Sequence, residues 1–274
     1  MNKALWSKSI REARPLLLAL VALMFGFHWL FVWLTSLVEL GAYKIILQAL
    51  PGEFHSLVNI PLAKLATDTG RISLAYVDPV VIFAVLSWSL ARGSDCVAGE
   101  LGRGTMEMLL AQPISRLAVL GVQATVTTAG AALLAVAAWL GTVQGLAVCK
   151  LSDEVSAADF IPAAINLFAL TFFLAAASSL ISACDSYRWR AIGVMGGFYV
   201  IELVIKIVGR LAPKYDWLMY GTFLAAFEPQ VMVVSPERAW SMSLRYDGAL
   251  IGLAAACYVA AAIVFCRRDI PAPL

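Results

Sequence analysis

Charge is what this sequence has least of. Only 14% of its 274 residues are Asp, Glu, Lys or Arg, against 61% apolar, and the mean hydropathy is +0.84. Soluble domains carry about 25% charged residues, so the composition excludes an ordinary water-facing surface and points to a polytopic membrane protein. Histidine occurs twice, at His28 and His55, with no H-E-x-x-H spacing, and two isolated histidines do not make a metal site. The cysteines (Cys96, Cys149, Cys184, Cys257 and Cys266) are odd in number and lack C-x-x-C spacing, so neither a disulfide framework nor a thiol metal site is expected. There is no G-x-x-x-x-G-K-[ST] phosphate loop and no G-x-S-x-G elbow, and Ser178-Ser179 reads as helix packing or back-bonding, so neither ATP hydrolysis by this chain alone nor covalent catalysis is expected. The net charge is +2 and no Lys/Arg run has interleaved aromatics, so nucleic acid is not an expected partner.

Long apolar runs are what the sequence does have. Six are visible, at Leu16 to Val38, Val77 to Ala91, Leu117 to Val148, Ile161 to Ala183, Ala191 to Val208 and Ala249 to Cys266. Each approaches or exceeds the roughly 20 residues needed to cross the hydrocarbon core, and the second gains length by borrowing Leu74 to Tyr76. The expected fold is all-α: one transmembrane domain over 1–274 with six transmembrane helices. The first run is too long for a signal-peptide core and reads as a retained helix.

Ahead of it, residues 1–15 carry Lys3, Lys8, Arg11 and Arg14, with Trp6, Ile10 and Ala13 gathered opposite Lys8 and Arg11. That pattern predicts an amphipathic helix at the interface, ended by Pro15. With the N-terminus cytosolic, the inside segments hold 11 basic residues in 55 positions and the outside loops 8 in 98, which places both termini in the cytosol. In the first outer loop, Ile45 to Leu50 is an apolar patch too short to span. In the last, 209–248, the largely apolar stretch Trp217 to Phe227 predicts an interfacial or re-entrant helix. Gly141-x-x-x-Gly145 and Gly193-x-x-x-Gly197 permit close helix approach.

One polar stretch, the cytosolic loop 92–116, has an internal design. Gly99, Gly102 and Gly104 are expected to keep its first half from forming a stable helix, and Thr105 offers an oxygen to cap a helix that follows. In that helix, Thr105 to Gln112, Met106, Leu109 and Leu110 share a face, Glu107 lies in the first turn where the dipole favours a carboxylate, and Pro113 is the stop. Such an element suits a groove on another protein. After the fourth span, Asp185, Arg188 and Arg190 form a short cytosolic turn. The ionisable pair within an apolar run is Glu202 and Lys206, spaced i,i+4 in the favourable order, and it reads either as a paired anchor or as the lining of a transport path.

The pattern Asp95, Ala98-Gly99-Glu100, Arg103-Gly-Thr105 and Leu109-Leu-Ala-Gln-Pro-Ile-Ser-Arg116 resembles the cytosolic loop of type-two ATP-binding cassette (ABC) permeases, and the tail Phe265 to Leu274 resembles one common in a branch of that family. The Lys that such permeases often carry after the Ser-Arg pair is replaced here by Leu120-Gly121-Val122. The resemblance implies the permease subunit of an ABC exporter in the cell (inner) membrane, working with a second permease copy on separate ATPase subunits. ATP and Mg would lie on the ATPase, with no cofactor on this chain. It also implies a coupling role for the loop, with Asp95, Glu100, Arg103, Thr105, Glu107, Leu109, Pro113 and Arg116 as ATPase contacts. The competing expectation is a stand-alone intramembrane enzyme or channel built on Glu202, Lys206 and His28.

Overall fold

The computed structural model describes residues 3–38, 41 and 59–268. In chain order the helices are α1 (Lys3–Leu37), α2 (Leu62–Leu65), α3 (Asp68–Ser73), α4 (Pro79–Ser94), α5 (Glu100–Gly102), α6 (Thr105–Leu110), α7 (Arg116–Val148), α8 (Ile161–Cys184), α9 (Arg188–Leu211), α10 (Pro229–Val234) and α11 (Pro236–Arg267). Among the described residues, six stretches are long and apolar enough to cross a membrane: Lys3–Leu37, Asp68–Gly102, Arg116–Val148, Ala157–Cys184, Arg188–Leu211 and Pro236–Arg267. No strand occurs among the described residues.

Helix α8 lies at the centre. In its most apolar window 72% of residues are buried, against 22% for α1, α9 and α11. Its sequence explains why. Lipid tails are as apolar as Leu, so membrane helices associate through close packing and hydrogen bonds rather than through a hydrophobic drive. Helix α8 is rich in Ala and Ser, which let neighbours approach: Ala163, Ala169, Ala175, Ala176, Ser178, Ser182 and Ala183 are all buried. Helix α9 has large side chains instead, and Val194, Val200, Ile201 and Val204 point outward where lipid would lie.

The first correction concerns the N-terminus. Residues 3–15 do not form a separate interfacial helix; α1 runs unbroken through Pro15. Its buried stripe, Leu5, Ser9, Ala13, Leu20, Met24, His28, Val32 and Thr35, continues on both sides of the proline, so packing outweighs the one backbone bond that proline forfeits. Trp6 is half-buried and Ile10 exposed, so the buried face is not the one the charge pattern suggests. Helix α7 receives the stripe. Any Cβ at Gly141 would come within 2.3 Å of the Phe25 carbonyl, and one at Gly145 within 2.6 Å of Val32, so these glycines serve packing within the chain. A Cβ at Gly193 or Gly197 would meet nothing within 4 Å.

The second span is longer than expected, running from Asp68 to Gly102 rather than from Val77 to Ala91. At the end of the molecule far from Gly104, residues 62–77 join several helix ends. Arg71 donates to the Thr35 carbonyl at 2.8 Å, Asp68 accepts from the backbone N–H of Ser152 at 2.8 Å, and Lys64 donates to the Val234 carbonyl at 2.7 Å. The patch Ile45 to Leu50 and His55 lie outside the described residues.

A further correction falls on Trp217 to Phe227, which is not one helix. It divides into the 3₁₀ stretches Pro213–Gly221 and Phe223–Ala226, separated where the Thr222 hydroxyl caps the Leu224 N–H at 3.2 Å. The Leu224 and Phe227 carbonyls accept from Lys206 Nζ at 2.8 and 2.9 Å, which ties the end of this segment to α9. The last span begins at Pro236, not at Ala249.

Candidate functional site

The loop 92–116 grows out of the second span without a break. After α4 the chain widens into a π-turn, Asp95–Gly99, and then continues as α5. The glycine-bearing segment is therefore helical, contrary to the expectation that it would stay irregular. The reason is a side chain supplied from α8. Ser182 Oγ accepts the N–H groups of Val97 (3.2 Å) and Ala98 (2.9 Å) and donates to the Ser94 carbonyl (2.9 Å), filling the gap that a π-turn opens in the backbone ladder. A Cβ on Gly99 would collide with the Asp95 carboxylate at 2.1 Å, so glycine lets Asp95 fold beneath the turn.

Gly104 then adopts the left-handed conformation (φ +69°) and reverses the chain into α6. Thr105 does not cap that helix. It is the first helical residue, and its hydroxyl reaches back to the Glu100 carboxylate and carbonyl, because Gly104 has taken the capping position. Helix α6 stops at Leu110, shorter than expected. Its apolar face does not await a partner. Met106 is buried with Val97, Leu120, Ala183 and Phe265, Leu110 packs beside it, and Leu109 packs near Leu5, Val119 and Val122.

An ion network fixes this arrangement. Glu100 is fully buried and receives Lys8 Nζ from α1 at 2.6 and 2.7 Å, with Arg103 at 3.1 Å. Asp95 receives Arg103 at 2.6 Å and Arg188 at 3.4 Å. The hydrogen bond that Arg103 donates to the Asp95 carboxylate holds the guanidinium above its ordinary pKa, so it stays charged. The carboxylates of Glu12, Asp95 and Glu100 come within 4.8 Å of one another, and Lys8, Arg103 and Arg188 bridge them. Deeper in the bundle, Arg92 is buried and donates to Gln123 at 2.6 Å and Ser9 at 3.2 Å. Arg116 donates to the carbonyls of Phe265 (2.9 Å) and Arg268 (2.6 Å) and so closes the end of α11.

Of the eight loop residues singled out from sequence, the structure turns Asp95, Glu100 and Arg116 onto the chain's own partners and half-buries Thr105 and Leu109. Arg103, Glu107 and Pro113 remain exposed. Met108, 65% exposed beside Glu107, belongs to the same rim and was missed. Lys8 was read as interfacial charge and Arg188 as part of a turn. Both bond to the loop, and no sequence spacing links residues 92 or 93 positions apart.

Glu202 and Lys206 do not form the i,i+4 pair. Lys206 pairs with Glu228 at 2.8 Å, which Arg210 also bonds and to which Gln230 donates at 2.9 Å. Glu202 is buried, with one carboxylate oxygen lacking a hydrogen-bond partner among the described residues. Next to this cluster, Asn166 donates to Asp247 at 2.6 Å and accepts the Glu228 N–H at 3.1 Å. His28 stands apart, its Nδ1 2.8 Å from the Met24 carbonyl and its ring 4.8 Å from that of Tyr76. No contact among the described residues joins His28 to Glu202 or Lys206, so the three do not assemble into a catalytic centre.

Among the described residues, six apolar helices with the Ala/Ser-rich α8 at their centre and a short helix folded against them fit a multi-pass membrane protein. The chain matches the family described as ABC-2 family transporter protein over residues 6–270 and belongs to it. It is accordingly a membrane component of a transporter, and permeases of this family generally work with ABC ATPase subunits. No curated protein matches the chain closely.

Proposed function

We propose that this chain is the permease subunit of an ABC exporter in the cell (inner) membrane, with both termini cytosolic, and that α6 receives the motion of a separate ATPase that binds ATP and Mg. A second permease copy, identical or related, completes the assembly. The observation that carries the reading is the two-sidedness of α6. Its inner side is held by Met106 and by the Glu100 network, while Arg103, Glu107, Met108 and Pro113 form an exposed rim. A displacement applied to that rim passes through Glu100 to α1 and through Ser182 to α8, which are the routes a coupling element needs.

On this reading Arg103, Glu107, Met108 and Pro113 touch the ATPase, while Asp95, Glu100, Thr105, Leu109 and Arg116 position the rim. Lys206, tied to Glu228, serves as an anchor rather than as path lining. The test is co-purification with a candidate ABC ATPase co-expressed with this chain, comparing wild type with Glu107→Arg/Met108→Asp. Both positions are exposed, so stability should change by no more than about 0.5 kcal/mol, and loss of the ATPase from the variant alone is expected. Undiminished association of the variant would sink the proposal.

A further inference from the structure

Helix α1 runs unbroken through Pro15, and that fixes where its first charges lie. Leu5, Ser9 and Ala13 are turned onto the bundle, so Ser7, Arg11 and Arg14 stand on the opposite, outward side, in line with Leu18, Ala22 and Phe25 further along the helix. All six are exposed. The outward face therefore changes from charged to apolar between Arg14 and Leu18, the latter 56% exposed. From Leu18 to Leu37 the helix rises about 29 Å, close to the roughly 30 Å of a hydrocarbon core. Arg14 thus stands about 6 Å outside that core and Arg11 about 10 Å, within the headgroup layer and at its rim. The depth is the same whichever side of the membrane holds the N-terminus.

Nothing in the chain neutralises these charges. Among the described residues neither guanidinium has a hydrogen-bond or ion-pair partner, and Lys3, exposed on the same side, has none either. Glu12 is the one acid in residues 3–14, and it lies on the other flank, 3.7 Å from Lys8 and within 4.8 Å of the Asp95 and Glu100 carboxylates. Two arginines three residues apart are neighbours on a helix surface, and each presents a planar fork that matches phosphate oxygens. Free forks at headgroup depth above an apolar stripe have the polarity of an anionic phospholipid. We propose that Arg11 and Arg14 hold the phosphate of one anionic glycerophospholipid, with an acyl chain along Leu18, Ala22 and Phe25. The inference is separate from the ATPase docking proposed above, which uses the rim of α6.

The test is native mass spectrometry of the delipidated full chain in detergent, titrated with dioleoylphosphatidylglycerol or dioleoylphosphatidylcholine. Wild type should bind its first phosphatidylglycerol about tenfold more tightly than its first phosphatidylcholine, the order expected of two basic residues at a lipid headgroup. Both arginines are exposed, so Arg11→Gln/Arg14→Gln should fold as wild type does and bring the two lipids within about twofold of each other. Lys214→Gln/Arg238→Gln removes the same charge from exposed positions at the far end and should leave the preference intact, which separates a local site from net charge. Excess inorganic phosphate should leave the lipid bound to wild type. Equal binding of the two lipids by wild type, a preference that survives in the arginine variant or falls in the far-end variant, or displacement by phosphate would overturn the proposal. So would loss of a co-expressed ATPase from the arginine variant with its lipid preference intact, which would give the face to a protein.

Discussion

Glu100 at the loop end and Glu228 at the far end are each buried among cations, yet their cations reach them from different surroundings. Lys8 and Arg103 keep 32% and 42% of their side chains exposed, while Lys206 and Arg210 keep only 12% each. Cations at the loop end can withdraw toward water when the carboxylate is lost, whereas those at the far end would stay buried and uncompensated. The loop-end cluster is therefore suited to being strained and re-formed, and the far-end cluster to holding still. The neighbours fit that difference. Glu100 lies beside the six-residue α6 with its exposed rim, while Glu228 adjoins α10 and donates its N–H to Asn166.

Substitutions that break the comparison follow in decreasing order of effect. Glu228→Ala should cost about 3–5 kcal/mol in reversible detergent unfolding, because it strands two buried cations. Glu100→Ala should cost less, about 1–3 kcal/mol, because Lys8 and Arg103 can turn outward; an equal loss at both sites would remove the distinction. Ser182→Ala leaves the buried Val97 and Ala98 N–H groups without their acceptor and should cost about 1–2 kcal/mol, with faster amide hydrogen exchange confined to 95–99. Gly104→Ala has open space for its Cβ and meets only the left-handed backbone penalty, about 1 kcal/mol. Its use is to sharpen the comparison, since it should loosen α6 and leave the Glu228 cluster untouched.

The places where sequence reasoning failed share one physical origin. Pro15 is a strong local stop, but a stripe of side chains packing on α7 runs across it, and local propensity is weaker than that packing. Gly99 and Gly102 speak against a helix until Ser182, 85 and 84 residues from the N–H groups it accepts, satisfies the π-turn, whereas Gly104 does reverse the chain. Glu202 and Lys206 have ideal spacing for a pair, yet Glu228 gives Lys206 a closer partner in a segment read as a loop. The apolar face of α6 was visible in Met106, Leu109 and Leu110, but which surface it meets depends on α7, α8 and α11.

By itself the sequence determined the number of spans, the membrane setting and the position of the short helix between the second and third spans. Those properties depend on apolar run length, on scarcity of charge and on local stop signals, all of which are counted along the chain. Only the tertiary structure decided which charges meet and which face of the short helix is left outward. Ion partners and helix faces are chosen by residues remote in sequence, and the low dielectric of the bundle makes an unpaired buried charge costly, so Asp95, Glu100 and Glu228 take their cations from wherever the fold brings them.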